Sequence, residues 1–191
     1  MSEREKALSI LKKLNDNGHQ AFIVGGAVRD SLLGKNPKDY DISTSALPNQ
    51  IADLFSDCGV AYIEAAQAYP VMTVSGIEVA SFRKDMPGAK RENLSSMQIG
   101  ATLEDDSLRR DLTFNSLYQG ASGAVLDPCG QGLSDLQAKL VRFVGEAQER
   151  LDEDACRGLR AIVFAAKLDF SLEEKTKKAL QGITLKFKEK K

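Results

Sequence analysis

Residues 22–44 read FIVGGAVRDSLLGKNPKDYDIST, and this stretch decides the fold. An apolar run at residues 21–24 leads into two adjacent glycines, which predicts a short buried strand followed by a tight turn. The next segment predicts a short helix through Leu33, which Gly34 ends. A second strand is predicted at residues 40–43, so helix and sheet alternate from the start.

Two aspartates, Asp39 and Asp41, lie at the mouth of the second predicted strand. Side chains at i and i+2 of a strand point to one face, with Cα atoms roughly 7 Å apart, so these carboxylates converge. Carboxylate oxygens suit Mg²⁺, which takes further ligands from water and substrate phosphates. Such ions activate an attacking hydroxyl and stabilise a leaving oxygen. The pair therefore predicts nucleotidyl transfer.

Gly25, Gly26 and Arg29 predict a phosphate site beside these carboxylates. The glycines lack a Cβ, so a ligand can approach their amides at the point where a strand passes into a helix. Arg29, one turn further on, offers a charged fork to phosphate. The alternative is a tight strand-to-helix turn without a ligand. The stretch is neither a GxGxxG motif nor a P-loop, since no Lys-Ser/Thr follows.

Periodicity along the rest of the chain predicts a mixed order of helices and strands. The predicted elements are a helix at 3–17, a helix at 49–57, a hairpin or bulged strand at 71–83, a mobile loop at 84–96, a helix at 104–110, a strand at 125–127 and helices from about residue 146.

Composition narrows the possible functions. The formal net charge is −1, which argues against broad charge-driven coating of nucleic acid. The three cysteines have no CxxC spacing, so neither a zinc site nor a disulfide framework is indicated. No apolar run approaches the roughly 20 residues of a membrane span, and the N-terminus is charged and amphipathic. We therefore predict a cytoplasmic protein without membrane contact.

Five motifs, in order over residues 20–168, resemble those of the class II tRNA nucleotidyltransferases, the CCA-adding enzymes, and of the related bacterial poly(A) polymerases. The motifs are GGAVRDSLLGKNPKDYDIST, EVASFR from Glu78, EDDSLRRDLTFNSL from Glu104, DPCGQGLSDL from Asp127 and EDACRGLRAIVFAAKL from Glu153. This resemblance implies Mg²⁺ as cofactor, CTP and ATP as substrates and the 3′ end of tRNA or another RNA as acceptor.

The resemblance also implies residue roles. Asp39 and Asp41 would be the catalytic, metal-binding pair. The implied nucleotide-binding residues are Gly25, Gly26, Arg29, Arg110, Asp111, Asn115, Asp154, Arg157 and Arg160. Structural ion pairs are the alternative for Arg110 and Asp111. Glu78 is a candidate third carboxylate, or else an exposed strand residue.

Asp154 and Arg157 are three residues apart, so on a helix they would share one face. Aspartate accepts hydrogen bonds and arginine only donates them. Cytosine and adenine present an amino donor beside a ring-nitrogen acceptor, whereas uracil and guanine reverse that order. The pair could thus accept C and A and reject U and G. An ordinary surface ion pair is the alternative.

We expect an α+β fold. A nucleotidyltransferase (polymerase-beta-like) head with a short mixed sheet would span residues 1–140, and a helical neck would span 141–191. The predicted function is addition of CMP, AMP or both to the 3′ end of tRNA. The alternatives are an enzyme that adds only CC or only A, a poly(A) polymerase, a catalytically idle nucleotide- or RNA-binding module, and nucleotidylation of a protein or small molecule.

Three departures from the family pattern qualify these expectations. Val163 stands where many relatives have arginine, and residues 84–96 lack the aromatic and Arg-Arg-Pro features common in relatives. The family's enzymes usually continue into helical body and tail domains. The chain would then be a minimal version or a piece of a longer one. Alternatively, another copy or a partner protein would anchor the RNA.

Overall fold

The computed structural model describes residues 1–62, 71–86 and 97–188, which form an α+β fold. The helices are α1 (Glu3–Asp16), α2 (Gly26–Leu32), α3 (Pro48–Leu54), α4 (Leu103–Leu108), α5 (Gly132–Gln137), α6 (Ala147–Glu153), α7 (Cys156–Leu168) and α8 (Glu174–Lys188). The strands are β1 (Ala21–Val24), β2 (Asp41–Thr44), β3 (Val60–Tyr62), β4 (Val71–Val74), β5 (Ile77–Ser81), β6 (Arg83–Asp85), β7 (Met97–Ile99), β8 (Tyr118–Gln119), β9 (Val125–Leu126), β10 (Leu140–Val141) and β11 (Ser171–Leu172). Across these described ranges, every helix is too short or too polar to span a bilayer.

Seven strands of the described chain form one mixed sheet, in the order β3-β4-β5-β2-β1-β8-β9. β2 and β5 run parallel, and the other neighbours run antiparallel. The short mixed sheet predicted above is therefore confirmed. The β4–β5 hairpin turns at Ser75 and Gly76, which both have positive φ, as two-residue hairpin loops require.

One face of the sheet carries the main hydrophobic core. Ile23, Ile42 and Val79 occupy neighbouring register positions on β1, β2 and β5, and all three are buried. α1 packs against the same three strands through a face that includes Leu11 and Leu14. Because side chains alternate along a strand, the residues directly before and after each of these three point to the opposite face.

That opposite face bears a smaller buried cluster, formed by Val24, Phe82, Leu103 and Tyr118 with Phe22 packed against it. The ring of Phe22 lies 6.4 Å from that of Phe82 and 6.1 Å from that of Tyr118. Asp41 is the register partner of Val24, so its carboxylate belongs to this face. The main core and the aspartates therefore lie on different sides of the sheet.

Helices dominate after residue 146, as predicted, although β11 separates α7 from α8. The ring of Phe114 meets Phe164 of α7 and Phe170 edge-on, with centroids 5.9 and 5.8 Å apart. The buried core contains residues from both sides of the proposed boundary at residue 140. That division into head and neck stays a prediction.

The predicted mobile loop at 84–96 is wrong for its first two residues. Lys84 and Asp85 belong to β6 and pair with Gln98 and Met97 of β7. This pairing joins segments that are distant in sequence, so no local periodicity reveals it. Residues 87–96 of the predicted loop lie outside the described residues.

The DPCGQG segment is a structural turn. Both carboxylate oxygens of Asp127 accept backbone hydrogen bonds, from Gly132 at 3.2 Å and Leu133 at 3.0 Å. A Cβ on Gly132 would lie 2.6 Å from the Thr113 carbonyl oxygen and 2.7 Å from a Leu117 methyl carbon. Only glycine allows α5 to pack this closely.

Gly132→Ala is therefore expected to lower the free energy of unfolding by about 1–3 kcal/mol, because backbone atoms must move to admit the methyl group. Gly182→Ala in α8 is the matched control, since among the described residues no atom beyond its own stretch of helix lies within 4 Å of the added Cβ. It should stabilise the protein by about 0.5–1 kcal/mol through helix propensity. Urea unfolding measures both. Equal effects of the two changes would contradict the close-packing explanation.

Candidate active site

Three carboxylates lie near the N-terminal ends of two neighbouring strands, β2 and β5. Asp41 begins β2, and Asp39 precedes it by two residues. Both are exposed, whereas Tyr40 between them is buried. Glu78 on β5 is also exposed and is the direct register partner of Asp41. Parallel pairing of β2 with β5 therefore brings a third carboxylate beside the aspartates.

The electrostatics of Asp41 reflect this crowding. Partial desolvation by the surrounding protein raises the pKa of its carboxyl, and the charges of Glu78 and Asp39 raise this pKa further, while Arg110 opposes them. In the described parts of the chain, no group of three or more His, Cys, Asp or Glu side chains is arranged to hold a metal alone. Two hard carboxylates nevertheless fit an ion such as Mg²⁺, which keeps waters and takes phosphate ligands.

The glycine turn brings Arg29 and Asn115 together. Gly25 has φ +71°, a left-handed conformation that favours glycine, and no side chain caps α2. Arg29 is buried, and its NH1 donates to Asn115 Oδ1 at 2.7 Å while its Nε donates to Asp30 Oδ1 at 2.8 Å. Its guanidinium carbon also lies 4.9 Å from the ring centre of Phe164.

Sequence reasoning missed the residue that organises the other side of the site. Asp106 of α4 is completely buried, and its side chain accepts hydrogen bonds from four other side chains. The donors are Ser43 Oγ (3.0 Å), Tyr118 OH (2.7 Å), Arg110 NH2 (3.0 Å) and both Nε (2.9 Å) and NH2 of Arg109. We call these five residues the Asp106 cluster.

Charge pairing keeps Asp106 ionised. Burial alone would raise its pKa, but the charges of Arg110 and Arg109 and the hydrogen bond from Tyr118 hold the pKa well below its usual range. Burial correspondingly raises the pKa of the Tyr118 phenol. The signal was present in the sequence, because Asp106 precedes the two arginines by three and four residues, the spacing of helical ion pairs.

Asp111 and Arg160 connect the head to α7. The Nε of Arg160 donates to Asp111 Oδ2 at 2.8 Å, and its NH2 donates to Asp154 Oδ2 at 3.4 Å. Asp111 thus forms an ion pair with Arg160, and its role in nucleotide binding stays a prediction. Arg157 pairs with Glu153 and donates to the Arg109 carbonyl oxygen at 3.0 Å.

The predicted helical pairing of Asp154 with Arg157 is wrong. Asp154 has extended backbone angles, φ −154° and ψ 103°, because α6 ends at Glu153 and α7 begins at Cys156. Its Oδ1 accepts the Cys156 amide at 2.9 Å, so the aspartate stabilises the break between the helices. Asp154 lies in that break and Arg157 lies in the first turn of α7, so the two residues do not share a helix face.

Comparison with known proteins supports the resemblance. A family model described as the poly A polymerase head domain matches residues 21–142, which include the aspartate pair and the Asp106 cluster. The chain belongs to the poly(A) polymerase head-domain family. The predicted nucleotidyltransferase head fold is confirmed.

Individual members of this family have two kinds of name. Poly(A) polymerase I of Salmonella typhi is 37% identical over 182 residues, covering 90% of this chain and 39% of the relative. The CCA-adding enzyme of Geobacillus thermodenitrificans is 39% identical over 180 residues, covering 92% and 43%. The crystal structure of the Bacillus stearothermophilus CCA-adding enzyme in complex with CTP matches with a TM-score of 0.81 and 34% identity, covering 94% and 43%. This chain spans about two fifths of the length of these proteins.

Val163 lies on the outer face of α7. It is exposed, as are Leu159 and Ile162 at helical spacing. These three side chains form an exposed apolar strip, and the predicted departure from the family pattern at Val163 stays a prediction.

In this poly(A) polymerase head domain, Asp106→Asn should lower the free energy of unfolding at pH 7 by about 3–5 kcal/mol, because it leaves buried arginines without their counter-charge. Glu104→Gln, an exposed change in the same helix, is the control and should alter stability by less than about 0.5 kcal/mol. Chemical denaturation measures both variants.

The decrease in the free energy of unfolding caused by Asp106→Asn should also depend on pH. Since folding lowers the pKa of Asp106, its contribution is complete above the ordinary aspartate pKa of ~3.9 and declines as pH falls toward the lower folded value. The stability difference between the parent and Asp106→Asn should therefore shrink below about pH 4. A difference that stays constant between pH 7 and pH 3 would contradict an ionised, paired Asp106.

Proposed function

We propose that this chain carries the catalytic head, and part of the neck, of a metal-dependent nucleotidyltransferase. It would add CMP and AMP, from CTP and ATP, to the 3′ end of tRNA. The observation that carries this proposal is the exposed Asp39-x-Asp41 pair beside Glu78. A mere binding module has no need of carboxylates crowded together at a cost in electrostatic repulsion. The similarity to a CTP-bound CCA-adding enzyme supports the substrate class.

The family generally uses a divalent metal ion. We propose that Asp39 and Asp41 hold Mg²⁺, which, when bound, would neutralise phosphate charge and favour ionisation of the attacking hydroxyl. Glu78 adds negative charge beside this pair.

The remaining residues would bind and orient the nucleotide. We propose that the amides at Gly25 and Gly26, together with Arg29 and Asn115, receive the triphosphate, and that Arg110 approaches it from the opposite side. The 3′-hydroxyl of the RNA would attack the α-phosphorus, and pyrophosphate would leave. The protein's contribution is positioning and charge stabilisation.

A poly(A) polymerase is the second candidate, favoured by the 37% identity to poly(A) polymerase I. Its product would differ, because it would add many AMP residues to the RNA instead of a CCA end. We also expect action in the cytoplasm. RNA anchoring would come from sequence beyond the head, from a second copy or from a partner protein.

The direct test is a gel assay with Mg²⁺ and tRNAs that end at the discriminator base, at C or at CC, each with CTP, ATP or both. Stepwise growth to CCA is expected. Growth by many A residues would support the second candidate.

Asp41→Asn should reduce transfer by at least about a thousandfold, because the charge that binds the metal is halved. Asp53→Asn, an exposed change on α3, is the control and should retain transfer. Retained turnover by Asp41→Asn would overturn the metal assignment.

Base selection provides a separate prediction. The parent should bind CTP and ATP more tightly than UTP and GTP, as measured by calorimetry. Asp154→Asn should narrow the CTP-to-UTP affinity ratio by roughly tenfold, since one acceptor oxygen becomes a donor. Asp152→Asn, an exposed neighbour, is the matched control. An unchanged ratio in Asp154→Asn would remove Asp154 from base recognition.

A further inference from the structure

Tyr118, Asp106 and Arg110 form a closed triangle of hydrogen bonds. The Tyr118 hydroxyl donates to Asp106 Oδ2 at 2.7 Å and accepts from Arg110 Nε at 2.8 Å. Arg110 NH2 completes the triangle by donating to the same Oδ2 at 3.0 Å. Tyr118 and Asp106 are fully buried, so this geometry is held by packing as well as by charge.

The triangle leaves one part of Arg110 available. A guanidinium has five N–H donors, and here Tyr118 and Asp106 engage its Nε and one NH2 hydrogen. Among the described residues, no acceptor lies within hydrogen-bonding distance of NH1. The side chain of Arg110 is 18% exposed, so part of it reaches the surface. A guanidinium that is held in one orientation, with N–H donors left over, is suited to bind phosphate oxygens.

The NH1 end of Arg110 lies on the side of the sheet that carries the aspartates. Val24 pairs with Asp41 on one side and with Tyr118 on the other, so Asp41 and Tyr118 share one face, about 10 Å apart. A nucleotide whose phosphates reach the aspartates therefore passes close to Arg110.

We infer that Tyr118 is a positioning residue, which holds Arg110 so that its NH1 meets the β- and γ-phosphates of the bound nucleotide. The inference rests on the proposed function. Tyr118 itself contacts no substrate, and it acts through the single hydrogen bond from Arg110 Nε.

Ser43 supplies a closely matched control. Like Tyr118, it is fully buried on the same sheet face and donates its hydroxyl to Asp106 Oδ2, at 3.0 Å. Unlike Tyr118, it accepts nothing from Arg110. Ser43→Ala therefore removes one hydrogen bond to Asp106, while Tyr118→Phe removes one and also releases Arg110 Nε.

The experiment measures dissociation constants of CTP and CMP, with Mg²⁺ present, for the full chain and its variants. Tyr118→Phe should weaken CTP binding roughly tenfold and CMP binding less than about twofold, because only CTP carries the outer phosphates. Ser43→Ala should change CTP binding less than about twofold. In an Arg110→Lys background, Tyr118→Phe should add no further loss. Thermal unfolding checks that each variant is folded.

The outcomes separate this inference from the proposed function. If the parent fails to bind CTP, both are overturned. If the parent binds CTP and Tyr118→Phe weakens CTP and CMP by the same factor, or no more than Ser43→Ala does, only the inference is overturned. If Tyr118→Phe weakens CTP binding by a further factor of roughly ten in the Arg110→Lys background, the inference is overturned as well.

Discussion

The carboxylate of Asp106 is a charge with no access to water, and the head is arranged around this constraint. A buried ion must be neutralised by partners close at hand, or folding would favour its protonation. Arg109 and Arg110 supply the charge, while Ser43 and Tyr118 supply hydroxyls from two strands of the sheet. These contacts fix α4 against the sheet. They also fix where the two guanidiniums can lie.

From Arg109 the constraint extends to α7. Its backbone carbonyl accepts from Arg157 of α7, and the adjoining Asp111 pairs with Arg160 of the same helix. Arg29, which lies against Phe164, makes a third connection between the glycine turn and α7. Several of the residues proposed to hold the nucleotide therefore also contact α7.

Much of this arrangement follows from local sequence. The helix at the N-terminus, the strand before the glycines and the β4–β5 hairpin each have a clear period or turn residue, and each is present. The convergence of Asp39 with Asp41 stays a prediction, because β2 begins only at Asp41 and Asp39 precedes it. By contrast, β8, β10 and β11 are two residues long, and pairing with distant segments creates them.

The site itself was predictable only in part. Motif similarity predicts nucleotide-binding roles for Arg29, Asn115 and Arg110, but their partners within the protein are decided by tertiary contacts. Asp106 stands in a run of acidic residues, of which it alone is fully buried. Asp154 illustrates the opposite error, since a spacing of three suggested a shared helix face. The side chain of Asp154 instead accepts a hydrogen bond from the Cys156 amide, in the break between α6 and α7.

The parallel pairing of β2 with β5 also bears on the order of folding. Antiparallel neighbours such as β4 and β5 meet through a tight turn, but parallel strands need a long crossover, here the whole segment from α3 to β4. Contacts so distant in sequence form slowly, because the loop must close before they stabilise it. Asp41 and Glu78 thus stay apart while the local elements form. Their mutual repulsion arises only when the sheet is nearly complete and can hold them together.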